Sequence, residues 1–189
     1  MKFLSVVFDC GLVENSLVYW YIKNNSKFNF MAHPREERSL IIMKPDCLLR
    51  GLLGEIIMRF ERKGLKIAGL KMVQLDDALL SGHYEIHKDK PFFASLKKYM
   101  QSSPVVLMVV TGIKAVEAVR LIVGPTKGFS ADAGSIRGDF SMSGQVTIVH
   151  ASDSVENGKT ETARLFKESE IFDYRRPDFE NVYGEDELA

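Results

Sequence analysis

The sequence predicts an α+β protein: a four-stranded antiparallel sheet made of two interleaved β-α-β units, with an added helical hairpin. Three observations lead there. Four apolar runs, at residues 39–43, 65–75, 104–111 and 146–149, have the length and bounding turn signals of strands. Amphipathic segments with helical spacing lie between them. The elements follow one another as strand, helix, strand, helical insertion, strand, helix, loop, strand, helix.

Each element has a local reason. The first run ends at Lys44-Pro45-Asp46, where the proline disfavours helix at Lys44 and predicts a turn. Over residues 51–63, Leu52, Leu53, Ile56, Ile57 and Phe60 share one helical face, Glu55 and Arg59 can pair on the other, and Gly64 follows as a stop. Phe92, Phe93, Leu96, Tyr99 and Met100 repeat the helical spacing, and residues 104–111 (PVVLMVVT) read as a buried strand. Residues 113–123 form a helix with Ile113, Val116, Val119 and Ile122 inward, and 124–138 form a loop rich in Gly, Ser and Asp. The last strand runs into His150, and Asp153 and Glu156 stand at capping-box spacing before a final helix. Two split β-α-β units in this order give the ferredoxin-like plan, an α/β sandwich.

Composition sets bounds on function. The chain has 189 residues, 46% hydrophobic and 26% charged, which suits one compact domain with a sizeable core. Lys plus Arg and Asp plus Glu number 25 each, so net charge gives no warrant for nucleic acid or membrane as partner. Cys10 and Cys47 are the only cysteines, which excludes a disulfide framework or a multi-cysteine zinc site and points to a reducing, cytoplasmic setting. No apolar run is long enough to span a bilayer. Residues 1–30 mix aromatics and asparagines without a period; Asp9 interrupts a faint likeness to a signal peptide, and Met31 opens a domain-like stretch. The reading is therefore an N-terminal extension over 1–30, a domain over 31–174, and a polar, acidic, partly mobile tail over 175–189.

His150 is the first candidate for chemistry. It ends an apolar strand and is followed by the small residues Ala151-Ser152, with a helix N-terminus that favours anions nearby. A neutral imidazole nitrogen is a competent nucleophile for a phosphoryl group, although a strand-end histidine can also be merely hydrogen-bonded. His33, His83 and His87 lie in less constrained settings and read as structural or surface residues. Lys44 also ends a strand, so it can share a sheet edge with His150 and offer a point charge to phosphate; a solvated lysine is the alternative. Arg120, Arg137 and Thr126 can clamp a polyphosphate, or Arg120 can be an exposed helix residue and Arg137 a partner of Asp132 or Asp139. The glycine-rich loop is neither a P-loop nor a dinucleotide fingerprint.

The pieces ERSLIIMKPD, RGLLGEIIMRFERKGLKIAGLKM, HYEIHKDKPFFASLKKYM, SSPVVLMVV, VRLIVGPT, GSIRGDF and IVHASDSVE, in this order between residues 37 and 174, resemble nucleoside diphosphate kinases. The resemblance implies a phosphotransferase that passes the γ-phosphoryl group of a nucleoside triphosphate, ATP for example, to a nucleoside diphosphate through a phosphohistidine, His150. It implies that Lys44 contacts the ribose and the moving phosphate, that Tyr84 hydrogen-bonds near Lys44, and that Phe92 stacks on the base. Arg120, Thr126 and Arg137 match phosphate-binding positions; Glu161 matches a glutamate that orients the histidine, and Ser152 the serine beside it. Mg²⁺ is implied with the nucleotide, held mainly by its phosphates, and a homo-oligomer, hexamer or tetramer, is the family's common assembly.

Three positions depart from the family's pattern. Thr147 stands where the family usually has a ribose-binding asparagine, so one substrate contact is expected to weaken or to pass through water. Cys47 replaces a common glycine, and Gly128 stands where a loop used for oligomer contacts often has proline. The competing readings are a nucleotide-binding regulatory relative without turnover, an interaction module docking through residues 1–30, and a small acyl-phosphate hydrolase of the same fold, whose compact phosphate loop is missing here.

Overall fold

The computed structural model describes residues 33–85, 88–174 and 176–188. The readings made for residues 1–30 and for His87 lie outside the described residues. The elements are β1 (Glu36–Met43), α1 (Pro45–Leu49), α2 (Leu53–Arg62), β2 (Lys66–Val73), α3 (Asp77–His83), α4 (Phe93–Met100), β3 (Val105–Ile113), α5 (Ala115–Val123), α6 (Ile136–Phe140), β4 (Val149–Ala151), α7 (Val155–Leu165), α8 (Phe179–Val182) and α9 (Glu185–Leu188). The strands form one sheet in the order β2-β3-β1-β4. β1 pairs antiparallel with β3 and β4, and β2 pairs antiparallel with β3. This is the ferredoxin-like arrangement, with α3 and α4 as the added hairpin between β2 and β3.

The sheet is covered on both faces, which explains the unbroken apolar runs of β1 and β3. Alternate residues go to opposite sides. Ile41, Met43, Val106, Met108 and Val110 pack with Ile56 and Phe60 of α2 and Val119 of α5. Leu40, Ile42, Val105, Leu107 and Val109 pack with Leu80 of α3, Met100 of α4 and Leu165 of α7. Glu55 and Arg59 form the pair read from their spacing, at 2.9 Å.

Several boundaries differ from the sequence reading, each for a local reason. Pro45 starts the short helix α1 where a turn was expected, because its fixed φ suits the first helical position while Lys44 stays extended. Ile113 belongs to β3 because its backbone pairs with Glu36, so α5 begins at Ala115 and buries Ala115, Val116, Val119 and Val123. The last strand starts at Val149, and Ser154 caps α7 by accepting from the Asn157 N–H; Asp153, expected in that role, accepts instead from the Asn157 side chain. The acidic tail, expected to be partly mobile, has partners. Arg176 donates to the Leu65 carbonyl at 2.9 Å, the Ile113 N–H donates to the Tyr183 hydroxyl at 3.0 Å, and His33 Nε2 lies 3.2 Å from the Leu188 carbonyl.

Two of the unusual residues are accounted for by packing. Cys47 is fully buried in the core beside α2, and burial with the charge of Asp46 pushes its thiol up to about 12, so it acts as an apolar filler. Gly128 donates its N–H to the Ser143 carbonyl at 3.0 Å, which a proline cannot do, and a Cβ there would meet the Ser141 carbonyl at 2.3 Å.

Candidate active site

The chain reversal between α6 and β4 places His150. Ile148, two residues earlier, has φ +65°, a left-handed conformation that a β-branched residue adopts at a cost of about 1–3 kcal/mol. Asp46 holds it there. One carboxylate oxygen accepts from the Ile148 N–H at 2.9 Å and the other accepts from the Tyr99 hydroxyl. The Lys44 N–H donates to the Ile148 carbonyl at 2.8 Å, so the end of β1 is tied to the start of β4 and Lys44 and His150 share one sheet edge. His150 itself pairs with Ile42 across the sheet.

A cleft of about 650 Å³ opens at this edge, within the range of small-molecule sites. Nine of the ten residues singled out in the sequence line it: Lys44, Tyr84, Phe92, Arg120, Thr126, Arg137, Thr147, His150 and Glu161. The tenth, Ser152, is buried behind them and donates its hydroxyl to Glu161 at 2.5 Å. Phe92 stands 41% exposed at the start of α4, where it lines the cleft.

The histidine is held in one tautomer. His150 Nε2 lies 3.0 Å from Glu161 Oε1. Burial alone raises the Glu161 pKa, but the His150 contact and the Ser152 hydroxyl outweigh it and hold the carboxyl below its usual range. An ionised carboxylate only accepts, so Nε2 carries the hydrogen and Nδ1 keeps its lone pair. Among the described residues Nδ1 has no hydrogen-bond partner, and His150 lines the cleft.

The cations are preorganised. The Lys44 ammonium donates to the Thr147 hydroxyl at 2.8 Å. Burial, helped by the Arg137 charge and opposed by Asp46, pushes Lys44 down to about 8. Arg137 donates to the carbonyls of Gly124 and Val149, both at 2.8 Å, rather than to Asp132 or Asp139. Burial and the nearby Arg120 push Arg137 down to about 10, so it remains charged at neutral pH. Three cations and a free imidazole nitrogen in one cleft suit an anionic, phosphorylated ligand.

Some of the machinery was not singled out in the sequence. Asp46 was seen only as part of the Lys-Pro-Asp turn. Tyr99 was read as an apolar helix position, and its pKa is raised by burial and by Asp46. His83, read as structural or surface, is packed edge-on against His150 with ring centroids 4.7 Å apart. Tyr84 is stacked edge-on against His83 at 4.7 Å, and burial raises its pKa. Only the adjacency of His83 to Tyr84 hinted at this.

The family model for nucleoside diphosphate kinase matches residues 37–171. The chain belongs to the nucleoside diphosphate kinase family. A family relative from Parabacteroides distasonis is 49% identical over 152 residues, which is 80% of this chain and 99% of that protein. One from Pyrococcus abyssi is 48% identical over 77% of this chain and 94% of its own length. Among solved structures, the Halobacterium salinarum nucleoside diphosphate kinase in complex with CDP superposes with a TM-score of 0.77 at 38% identity, covering 79% of this chain and 99% of that one. The Borrelia burgdorferi nucleoside diphosphate kinase, a transition-state mimic with vanadate and ADP, gives 0.72 at 36% identity, covering 76% and 95%.

Proposed function

We infer that this family member transfers the γ-phosphoryl group of a nucleoside triphosphate to a nucleoside diphosphate in two steps through His150. The observation that carries the reading is the His150–Glu161 contact, which leaves Nδ1 as a lone-pair nitrogen in a cleft of cations. The base lies against Phe92, and the phosphates meet Lys44, Arg120, Thr126 and Arg137. Nδ1 attacks the terminal phosphorus in line, the P–O bond to the diphosphate breaks, and the N–P bond forms. Little covalent assistance is needed, so positioning and charge supply most of the rate. Glu161 stabilises the imidazole as it gains positive charge, and Ser152 orients Glu161. A second diphosphate then takes the phosphoryl group by the reverse path.

Mg²⁺ is assigned to the nucleotide. The cleft's two carboxylates are both engaged, Glu161 with His150 and Ser152, and Asp153 with Asn157. They form no all-oxygen cage, so the phosphates hold the ion and no step needs a protein ligand to it. Thr147, read as a shortened ribose contact, has its hydroxyl occupied by Lys44; it positions that lysine as well as bordering the cleft.

The domain is taken as residues 31–174. No helix among the described residues is long and apolar enough to cross a membrane, and a cytoplasmic enzyme is proposed, in keeping with the unpaired thiol of Cys47. A homo-oligomer, hexamer or tetramer, is proposed on the exposed Leu70 and Met72 of edge strand β2.

The test is to mix the protein with γ-labelled ATP and Mg²⁺, isolate it, and add unlabelled GDP. Acid-labile label on the protein, absent in His150→Ala and released as labelled GTP, is the expected result. Nucleotide binding without label would instead favour the regulatory reading.

A further inference from the structure

His83 poses a separate question. Both of its ring nitrogens are buried, and neither has a hydrogen-bond partner among the described residues. Buried polar atoms without partners are uncommon and call for a ligand or a reason. His83, His150 and Glu161 each offer one ligand atom, and the three atoms lie within 4.8 Å of one another. Ligands of a tetrahedral zinc ion are about 3.4 Å apart at bond lengths near 2.1 Å, so a modest side-chain adjustment closes the set.

We propose that His83, His150 and Glu161 form a binding site for a divalent cation of the zinc class, and that its occupancy blocks phosphoryl transfer. Two imidazoles and one carboxylate suit zinc or a similar borderline ion and do not suit Mg²⁺, which demands oxygen ligands. The three residues come from α3, β4 and α7, so the set is assembled by the fold and leaves a coordination position open to the cleft.

The block follows from the chemistry of one imidazole. If the ion takes His150 Nε2, the Nε2–H···Glu161 hydrogen bond is replaced by metal–nitrogen and metal–oxygen bonds. The displaced proton moves to Nδ1, which loses its lone pair. If the ion takes Nδ1, it occupies the nucleophile directly. Either way the metal-bound histidine has no lone pair at Nδ1 to attack phosphorus, and once Nδ1 carries the phosphoryl group the Nε2 proton can leave only to solvent, so metal binding weakens; this half of the inference rests on the function proposed above. Lys44 opposes a cation in the same cleft, so binding is weaker than at a structural zinc site.

The test uses the full chain, without nucleotide, since nucleotides chelate zinc. Equilibrium dialysis against Zn²⁺, with Co²⁺ absorption as an optical probe, is run on the parent, on His83→Phe, which keeps a ring against His150, and on Glu161→Gln. One ion per chain is expected for the parent. Both variants should bind at least about tenfold more weakly, a scale that even loss of a supporting partner reaches at metal sites. The phosphorylated, desalted parent should also bind at least tenfold more weakly. Unchanged zinc affinity in both folded variants, judged by circular dichroism, overturns the site. Equal affinity of the phosphorylated and free chains overturns the block. If no phosphoprotein forms, the functional reading fails, and dialysis of the variants still decides the metal site.

Discussion

Lys44 pairs a full positive charge with near-complete burial, and that combination has a measurable consequence. Free of ligand, its ammonium titrates near 8 because burial and Arg137 disfavour the charge. A bound phosphate favours the charge and raises that value. Below about 8 the lysine is protonated in both states. Above it, nucleotide binding must take up a proton, so affinity falls as pH rises, by up to about tenfold per pH unit. Calorimetry in buffers of different ionisation enthalpy should show proton uptake between pH 8 and 9 and none at pH 7; no uptake at either pH would contradict this role. Glu161 meets His150 at 3.0 Å and is proposed to act through it. Replacing it by Gln removes a charge-assisted hydrogen bond of about 1.5–3 kcal/mol, so the single-turnover rate of phosphorylation should fall about 10- to 100-fold with little change in nucleotide affinity. A loss of affinity with an unchanged rate would assign Glu161 to binding instead.

At the scale of elements, the site depends on two backbone approaches. Asp46 in α1 holds Ile148 in its left-handed conformation just before β4. Asp46→Ala leaves a buried N–H without an acceptor and should cost about 1–3 kcal/mol, measured by chemical denaturation, together with a loss of phosphorylation as His150 shifts. Unchanged turnover would show that the β4 geometry does not need this anchor. The second approach is α7 over β1. A Cβ on Gly158 would meet the Arg38 carbonyl at 2.1 Å. Gly158→Ala must push α7 outward, costing about 1–3 kcal/mol, and it should move Glu161 away from His150. Wild-type stability in that variant would mean the helix has slack that the contact does not suggest.

At the scale of the molecule, a sheet with both faces covered supports one cleft-bearing edge. Every residue assigned a role in transfer lies between Lys44 and Glu161. Deleting residues 1–30 should therefore leave steady-state turnover within about twofold of the full chain, well inside the effect expected of a single lost site hydrogen bond. A larger fall would give the extension a part in catalysis. The polar tail is joined to the domain through Leu65, Ile113 and His33, so truncation at residue 175 should lower thermal stability while sparing phosphorylation of His150.

The sequence by itself determined the strand and helix order and the apolar runs through local periodicity, and five of the cleft's residues through residue type and position; Tyr84, Phe92, Thr147 and Glu161 were reached through the resemblance to the family. His150, Lys44, Arg120 and Arg137 announced themselves by residue type and position at strand ends or beside a glycine-rich loop. The tertiary structure decided what depends on distant segments meeting. It set which His150 nitrogen is free, since Glu161 is reached only when α7 folds back along β1. It made Asp46 an anchor for Ile148, 102 residues away. It also brought His83 to His150 from the far end of α3, a contact between separate elements that no spacing along the chain encodes.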